Sequence, residues 1–279
     1  MKVAIIGVGL IGGSIGLALK NSKLKEIKII GIGRNTERLK LAMDLNAIDG
    51  MTTDIRAGVK EADVVFICHP VGMIAKTAKG IMPWCKKTAV ITDVGSVKKV
   101  IVDEIEKYTL RRISKKLPEF LGCHPIAGSE KTSVKYSSSN LFKNAVVVLT
   151  PTSKSSTAAI KKVCELWKCM GAVVKIMSAE KHDKVIAYTS HLPHMVAFAL
   201  VRAVDHLEYA GSSFRDTTRI VSSDPYMWAD IVSENRENIM HAVDEFKKEL
   251  MNIEKSGSRK KILRIFQESK AKRDKLCHQ

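Results

Sequence analysis

Three histidines lie in segments that are punctuated by glycine and proline or that present a helix face. His124 belongs to the segment 122–131, GCHPIAGSEK, and His191 and His194 belong to the segment 190–195, SHLPHM. A histidine with an ordinary pKa of about 6.5 can accept a proton at cellular pH. Beside a bound nicotinamide it can take the proton of a hydroxyl while hydride leaves the same carbon. This chemistry requires a dinucleotide site elsewhere in the chain.

A glycine pattern near the start of the chain predicts that site. Lys2–Ile6 is an apolar run typical of a strand buried on both faces, and the motif GVGLIG follows it directly at 7–12. Gly7 allows a tight turn into a helix, Gly9 lets the backbone approach a pyrophosphate, and Gly12 lets the helix pack closely on the sheet. The helix N-terminus attracts the phosphates. The predicted cofactor contacts are Gly7, Gly9, Leu10, Ile11 and Gly12.

The end of the second predicted strand, Ile27–Ile32, bears on the choice of cofactor. NAD enzymes usually place Asp or Glu there to bind the ribose 2′-hydroxyl, whereas this chain has Gly33 and Arg34. Arg34 could pair with a 2′-phosphate through its forked donors. The alternative is a solvated arginine at a strand end. We predict NADP or NAD as cofactor, with NADP favoured.

Composition and charge exclude several classes of protein. The chain has 279 residues, of which 45% are hydrophobic, enough for one large or two ordinary domains. No apolar run reaches the roughly 18 residues of a membrane span, and the N-terminus has the pattern of a buried strand rather than a signal peptide. The six cysteines lack paired metal spacing and are expected to be reduced. We predict a cytoplasmic protein without a membrane partner.

The net charge of +17 could indicate nucleic acid binding. However, the lysines are scattered, only 5% of the residues are aromatic, and no recognition motif is present. We attribute the charge to a lysine-rich composition and to attraction of an anionic substrate and cofactor. The basic segment 258–275 is interpreted as an amphipathic terminal helix with a solvated face.

Alternating strand and helix patterns predict an α/β fold with a doubly wound, mostly parallel Rossmann-type sheet over residues 1–177. An all-helical dimerisation and substrate domain is predicted for residues 178–279. There, Ser178 is expected to cap a helix that reaches about Leu207, and Asp224-Pro225 to open another that reaches about Glu254. The predicted strands are Lys2–Ile6, Ile27–Ile32, Asp63–Cys68, Ala89–Val94, Glu119–Cys123, Ala145–Thr150 and Ala172–Met177. The predicted helices between them include Thr36–Asn46, Val71–Met82, Ser96–Tyr108 and Ser153–Met170.

Ligands of open α/β sheets bind beyond the carboxyl ends of the strands. Ser96, in DVGSVK, follows the fourth predicted strand, and its hydroxyl either caps the next helix or points into the cleft. His124 ends the next strand on the same edge and is expected to face the cofactor crevice; a structural histidine is the alternative. Glu130 could orient or tune this site.

His191 and His194 are three residues apart and share one helix face. They could be a metal pair, core histidines or polar groups facing a cleft; without further ligands no metal site is predicted. Pro193 between them suggests a kink. Further on, Arg219 binds a carboxylate if it points inward, with Asp216 as its orienting partner. The alternative for Arg219 is an ordinary surface charge.

The motifs GVGLIGGSIGLAL, DVGSVK, GCHPIAGSE, SHLPH and FRDTTRI, in this order, resemble the prephenate/arogenate dehydrogenases of tyrosine biosynthesis. The resemblance covers nearly the whole chain. It implies oxidative decarboxylation of prephenate to 4-hydroxyphenylpyruvate, or of arogenate to tyrosine, with hydride transfer to NAD(P). It also implies an intertwined homodimer built by the helical domain.

The same resemblance assigns roles to individual residues. His124 would accept the proton of the ring 4-hydroxyl, and Ser96 would orient that hydroxyl and the histidine. Arg219 would bind a substrate carboxylate, and His194, with His191 nearby, would contribute to the substrate pocket. Glu130 matches an acidic position of the family's site.

The main departure from the family's pattern is Gly33, because the family commonly has an acidic residue at this position. The absence of that residue argues against a preference for NAD. The chain is also expected to lack an appended ACT domain and a preceding chorismate mutase domain.

Two other functions stay open from sequence. One is another Rossmann dehydrogenase with a helical dimer domain, such as a β-hydroxyacid dehydrogenase or an imine reductase; the pair HPIAGSE and SHLPH argues against it. The other is a non-enzymatic, dinucleotide-sensing protein, which an intact set of Ser96, His124 and Arg219 disfavours.

Overall fold

A computed structural model describes residues 1–24, 26–112, 117–128 and 131–275. One eight-stranded sheet organises the first part of the chain, in the strand order β3-β2-β1-β4-β5-β6-β7-β8. Strands β1 to β6 run parallel, β7 pairs antiparallel with β6, and β8 pairs parallel with β7. The strands are β1 Lys2–Ile6, β2 Lys28–Ile32, β3 Gly50–Thr52, β4 Val64–Ile67, β5 Val90–Asp93, β6 Glu119–Pro125, β7 Val146–Thr150 and β8 Val173–Ile176.

Helices cover both faces of this sheet. One face packs against Ile15, Leu166 and Trp167, and the other against Ile74 and Ile101. The helices among the strands are α1 Leu10–Lys20, α2 Thr36–Asp44, α3 Ile55–Val59, α4 Val71–Ile81, α5 Lys99–Leu110 and α6 Thr157–Cys169. We refer to β1–β8 with α1–α6 as the sheet half. The predicted doubly wound, mostly parallel fold is confirmed.

In the described chain every regular element after β8 is helical, and we refer to these elements as the helical half. They are α7 Ala179–Ile186, α8 Leu192–Arg202, α9 Ser212–Thr218, α10 Pro225–Glu234, α11 Arg236–Glu254 and α12 Arg259–Asp274. Trp228 and Ile231 of α10 join the core under α4 and α5, which fixes the helical half against the sheet. The described helices include none long and apolar enough to cross a membrane.

Three local predictions were wrong, each for a physical reason. β3 was missed because it is only three residues long and begins with glycine. The helix predicted from 179 to about 207 contains a π-helical turn at Ala187–His191 and ends at Arg202. Pro193, two residues after the end of that turn, has no N–H to donate, which favours a local change of helical pitch.

The third difference lies in the helix predicted from 224 to 254. It is interrupted at Asn235, whose backbone leaves the helical region (φ −118°, ψ 27°). The Asn235 side chain is buried and bonds to the carbonyl oxygen of Asp183 at 2.9 Å. A tertiary hydrogen bond, invisible to sequence periodicity, therefore accompanies the break.

Candidate functional site

The turn from β1 to α1 has the geometry of a phosphate cradle. Gly7 adopts φ +90°, and a Cβ there would lie 2.6 Å from the carbonyl oxygen of Cys68. At Gly9 a Cβ would have no neighbour within 4 Å, so open space lies in front of this backbone. Leu10 and Ile11 begin α1, where the first amides have no partner within the helix. A dinucleotide pyrophosphate fits this open, amide-lined turn.

A loop that sequence reasoning did not single out holds this cradle. The Ser137 hydroxyl donates to the carbonyl oxygen of Leu10 at 3.1 Å, and the Ser138 backbone N–H donates to the buried Ser14 hydroxyl at 3.0 Å. Gly13 faces this loop closely, since a side chain there would meet Val134 and Ser137. The start of α1 is therefore held by this loop as well as by the sheet.

Gly33 and Arg34 follow β2, as the sequence predicted, and Arg34 is exposed. The half-buried His69, in the loop after β4, has a pKa lowered by burial and by the positive charge of Arg34. A Cβ at Gly33 would lie 3.4 Å from Leu39, an ordinary van der Waals contact, so a Cβ is tolerated there. Arg34 and His69 thus bring positive and polar groups to the end of β2.

A buried ion pair lies behind the ends of β5 and β6. Lys98 is completely buried, pairs with Asp93, and donates to the carbonyl oxygen of Cys123 at 3.0 Å. Asp93 also accepts from the backbone N–H groups of Gly95 and Cys123, each at 2.9 Å. These bonds fix the strand end that carries His124, because Cys123 immediately precedes it.

His124 is 7% exposed and belongs to a chain of hydrogen bonds that joins the two halves. Its Nδ1 lies 2.8 Å from Nε2 of His182 in α7. Nδ1 of His182 in turn lies 2.7 Å from Oδ1 of Asp183. Burial, followed by His182, Lys98 and His191, holds the pKa of His124 well below its ordinary value. His124 is consequently a neutral imidazole at cellular pH.

Ser96 does not cap the next helix, contrary to one of its two interpretations. Helix α5 begins at Lys99, and no side chain close in sequence caps it. Instead, Asp183 of the helical half accepts from the backbone N–H groups of Lys98 at 2.8 Å and Lys99 at 2.9 Å. Ser96 is half-buried in the loop between Asp93 and α5.

His191 and His194 share a face, and both contact Trp228. The His194 ring stacks on the Trp228 indole with centroids 3.6 Å apart, while His191 meets the indole edge-on at 5.9 Å. Nδ1 of His194 donates to the carbonyl oxygen of Ser190 at 3.0 Å. His194 is half-buried, and burial is the main cause of its lowered pKa.

His191 is fully buried rather than open to a cleft. Its Nδ1 lies 3.2 Å from the Asn235 amide, and its Nε2 has no hydrogen-bond partner among the described residues. Burial lowers its pKa to about 4. No cluster of three or more potential metal ligands occurs within the described ranges.

Arg219 and Asp216 lie near one another in sequence, on exposed parts of the helical half. Arg219 begins the 3₁₀ turn Arg219–Ser222, directly after α9, and Asp216 is exposed on α9. The pKa of His194 is lowered chiefly by burial, and the positive charge of Arg219 lowers it further. Glu130 lies outside the described residues.

Sequence reasoning missed His182, Asp183 and Lys98. A weak signal existed for Lys98, since it completes the DVGSVK motif. His182 and Asp183 form the dipeptide HD in an otherwise ordinary helix, and only the packing of α7 against α5 reveals their partners.

Comparisons with known proteins agree over both halves. The family model described as "Prephenate dehydrogenase, nucleotide-binding domain" matches residues 15–176, and "Prephenate dehydrogenase, dimerization domain" matches residues 178–268. The prephenate dehydrogenase of Bacillus subtilis (strain 168) is 37% identical over 290 residues, covering 98% of this chain and 76% of the relative.

Two solved structures are similar throughout. The prephenate dehydrogenase of Aquifex aeolicus, in complex with hydroxyphenyl propionate and NAD+, aligns with a TM-score of 0.89 and 38% identity, over 99% of this chain and 98% of that one. The arogenate dehydrogenase of Synechocystis aligns with a TM-score of 0.82 and 26% identity, over 99% of this chain and 100% of that one.

Proposed function

The chain belongs to the prephenate dehydrogenase family, and we propose that it oxidatively decarboxylates prephenate or arogenate with reduction of a nicotinamide dinucleotide. The observation that carries the proposal is a buried, neutral His124 at the end of β6. Gly128, shortly after it, faces Ile11 at the start of α1, where a Cβ would lie 3.9 Å from the Ile11 side chain. This proximity supports a single crevice shared by the proposed proton acceptor and the phosphate cradle.

In this proposal His124 acts as general base. It would accept the proton of the ring 4-hydroxyl as the C–H bond of the same carbon breaks, and a nicotinamide held at the cradle would supply the hydride acceptor. The bond from the ring to its carboxylate would then break, CO2 would leave, and the electron pair would complete the aromatic ring as the proton returns from His124 to the ring oxygen. General-base assistance contributes about 10²–10⁴-fold to the rate. Aromatisation supplies a driving force that the protein does not need to provide.

The substrate contacts are proposed from the helical half. Arg219 would bind a substrate carboxylate through a charge-assisted hydrogen bond, with Asp216 orienting it. His194, stacked on Trp228 and close enough to sense the charge of Arg219, would line the same pocket. His191 would support this pocket from its buried position, and Ser96 would orient the hydroxyl. Glu130, which lies outside the described residues, is proposed as a further substrate contact.

For the cofactor, we propose that NADP is used at least as well as NAD. No carboxylate at Gly33 repels a 2′-phosphate, and Arg34 is exposed beside it.

For assembly, we propose a homodimer through the helical half, with the boundary between the two domains at 177/178.

The experiment that tests the function is a steady-state assay of the purified protein. Prephenate and arogenate are each offered with NAD+ and with NADP+, and absorbance of the reduced nicotinamide is followed. We expect turnover with at least one substrate. A protein that binds the cofactor but reduces it with neither substrate would refute the proposal and favour a dinucleotide-sensing role.

A further inference from the structure

His182 and Asp183 form a buried pair whose position requires an explanation. Both lie in α7, and they are 0% and 2% exposed. They meet His124 across the junction of the two halves, through the bonds of 2.8 Å and 2.7 Å described above. Groups this polar are rarely buried unless every hydrogen bond is satisfied.

The direction of each hydrogen bond follows from Asp183. Each of its carboxylate oxygens accepts a backbone N–H, from Lys98 and from Lys99. Asp183 is therefore an acceptor toward His182 as well, and the hydrogen lies on Nδ1 of His182. A neutral His182 then presents a lone pair at Nε2. His124 must carry its own hydrogen on Nδ1, which leaves its Nε2 free.

This tautomer is the one that a general base needs. A free Nε2 lone pair can accept a substrate proton, whereas a hydrogen at that position would block the reaction. Helix capping alone does not account for the arrangement, because the two backbone N–H bonds of Asp183 already cap α5 without either histidine.

After a proton has been taken up, the surrounding groups favour a positive charge on His182 over one on His124. A cation on His124 would be buried, with Lys98 and His191 facing it. A cation on His182 would instead lie beside the carboxylate of Asp183; Lys98 opposes this cation too, whereas Asp93 favours it. The pKa of His182 is lowered by burial, but its bond to Asp183 acts in the opposite direction.

We propose that His182 and Asp183 are positioning residues that hold His124 with its Nε2 free and then take up the positive charge of the reaction. When Nε2 of His124 accepts the hydroxyl proton, its Nδ1–H is transferred to Nε2 of His182. The products of this step are a neutral His124 and an imidazolium at His182, paired with the Asp183 carboxylate. The inference rests on the proposed role of His124 as the base.

Two substitutions separate positioning from charge uptake. The amide oxygen of His182→Gln can still accept from His124 but cannot become cationic, and we expect kcat to fall about tenfold with both KM values unchanged. His182→Leu removes both properties, and we expect a fall of about 10²-fold. Neither substitution touches the caps of Lys98 and Lys99. The matched control is Glu180→Gln, also on α7, which is exposed, pairs with Lys184 and should keep wild-type kinetics.

Nitrogen NMR of the histidine side chains tests the same inference without substrate. At neutral pH the hydrogen of His124 should reside on Nδ1 in the wild type and in His182→Gln, and shift toward Nε2 in His182→Leu. On acidification, His182 should become the imidazolium while the hydrogen of His124 moves to Nε2. In Asp183→Asn this transition should move to lower pH, because the carboxylate that stabilises the imidazolium is lost. The other groups that face the pair, Asp93, Lys98 and His191, are unchanged.

The outcomes distinguish this inference from the proposed function. A wild type inactive with prephenate and arogenate would refute the function, and the NMR tautomer would still decide the positioning. An active wild type whose His182→Leu variant keeps its kcat and its His124 tautomer would overturn the inference. The inference would also be overturned if, on acidification, the NMR spectra showed that His124 becomes an imidazolium before His182.

Discussion

The two halves of the molecule bury their apolar residues very differently. In the sheet half, large side chains such as Phe66 and Trp167 are completely buried in cores on both faces of the sheet. In the helical half, Tyr209 and Tyr226 are 84% and 83% exposed, and α12 buries no residue. The sheet half contributes most of the buried core, whereas several large apolar side chains of the helical half are exposed.

The functional groups divide along the same line. The sheet half supplies the phosphate cradle and the proposed base on rigid strand ends. The helical half supplies His182 and Asp183, which meet His124 and cap α5, and the proposed pocket residue His194, which stacks on Trp228. The proposed base and its cofactor therefore lie on the sheet half, while the proposed substrate contacts lie on the exposed part of the helical half. Substitutions of His124 and of its partner His182 should affect kcat, and those of the exposed residues of the helical half should affect KM.

The largest expected effect comes from His124. His124→Asn removes the proton acceptor from the sheet half, and we expect kcat to fall by about 10²-fold or more. Cofactor affinity, measured by fluorescence titration, should stay close to that of the wild type. The matched control is His206→Asn, because the side chain of His206 is 81% exposed. A variant with wild-type kcat would remove His124 from the mechanism.

The pH dependence of kcat should reflect the same base. The pKa of His124 is held well below its ordinary value, chiefly by burial. A lowered pKa keeps the neutral, proton-accepting form at cellular pH, and activity is lost as pH falls and the hydrogen-bonded pair of His124 and His182 takes up a proton. We expect the acidic limb of the profile below about 6.5, the ordinary histidine value. A limb above that value would contradict a buried, neutral base.

Substitution of Arg219 tests the proposed substrate contact in the helical half. Arg219→Ala removes a charge-assisted partner of a carboxylate, worth about 1.5–3 kcal/mol, so the KM for substrate should rise about 10- to 100-fold. The KM for the cofactor should change little. Arg202→Ala, at the exposed end of α8, serves as control. An unchanged substrate KM would show that Arg219 does not contact the substrate.

A smaller effect is expected at the end of β2. We predict that kcat/KM for NADP+ at least equals that for NAD+, and that Arg34→Ala lowers the NADP+ value more than the NAD+ value. Gly33→Asp, whose Cβ would make only van der Waals contact with Leu39, should shift preference toward NAD+. Steady-state kinetics of the wild type with both cofactors are decisive. A tenfold or larger preference for NAD+ would show the argument from Arg34 to be wrong.

The last prediction concerns assembly: the mass of the protein in solution should be twice that of one chain. If a second copy covers the exposed apolar surface of the helical half, the protein should sediment as a dimer at micromolar concentration. The exposed residues include Leu207 and Phe266, at 47% and 54%. A monomer at that concentration would leave this surface uncovered and contradict the proposal.

Sequence alone predicted those features that depend on neighbouring residues. The β1–α1 turn follows from the conformational needs of Gly7 and Gly9, and His124 was placed correctly because a strand end is a local property. The pairing of His124 with His182 spans 58 residues, and that of Lys98 with Asp183 spans 85. Such bonds arise only when α7 packs against α5, so no periodicity indicates them.

The most direct test of the account compares two products of one reaction. Purified protein is supplied with a limiting amount of prephenate or arogenate and excess cofactor, and both reduced nicotinamide and released CO2 are measured. The account predicts equal amounts of the two products, formed together, and neither product above background in His124→Asn. Reduced cofactor without CO2, or no reduction with either substrate, would contradict it.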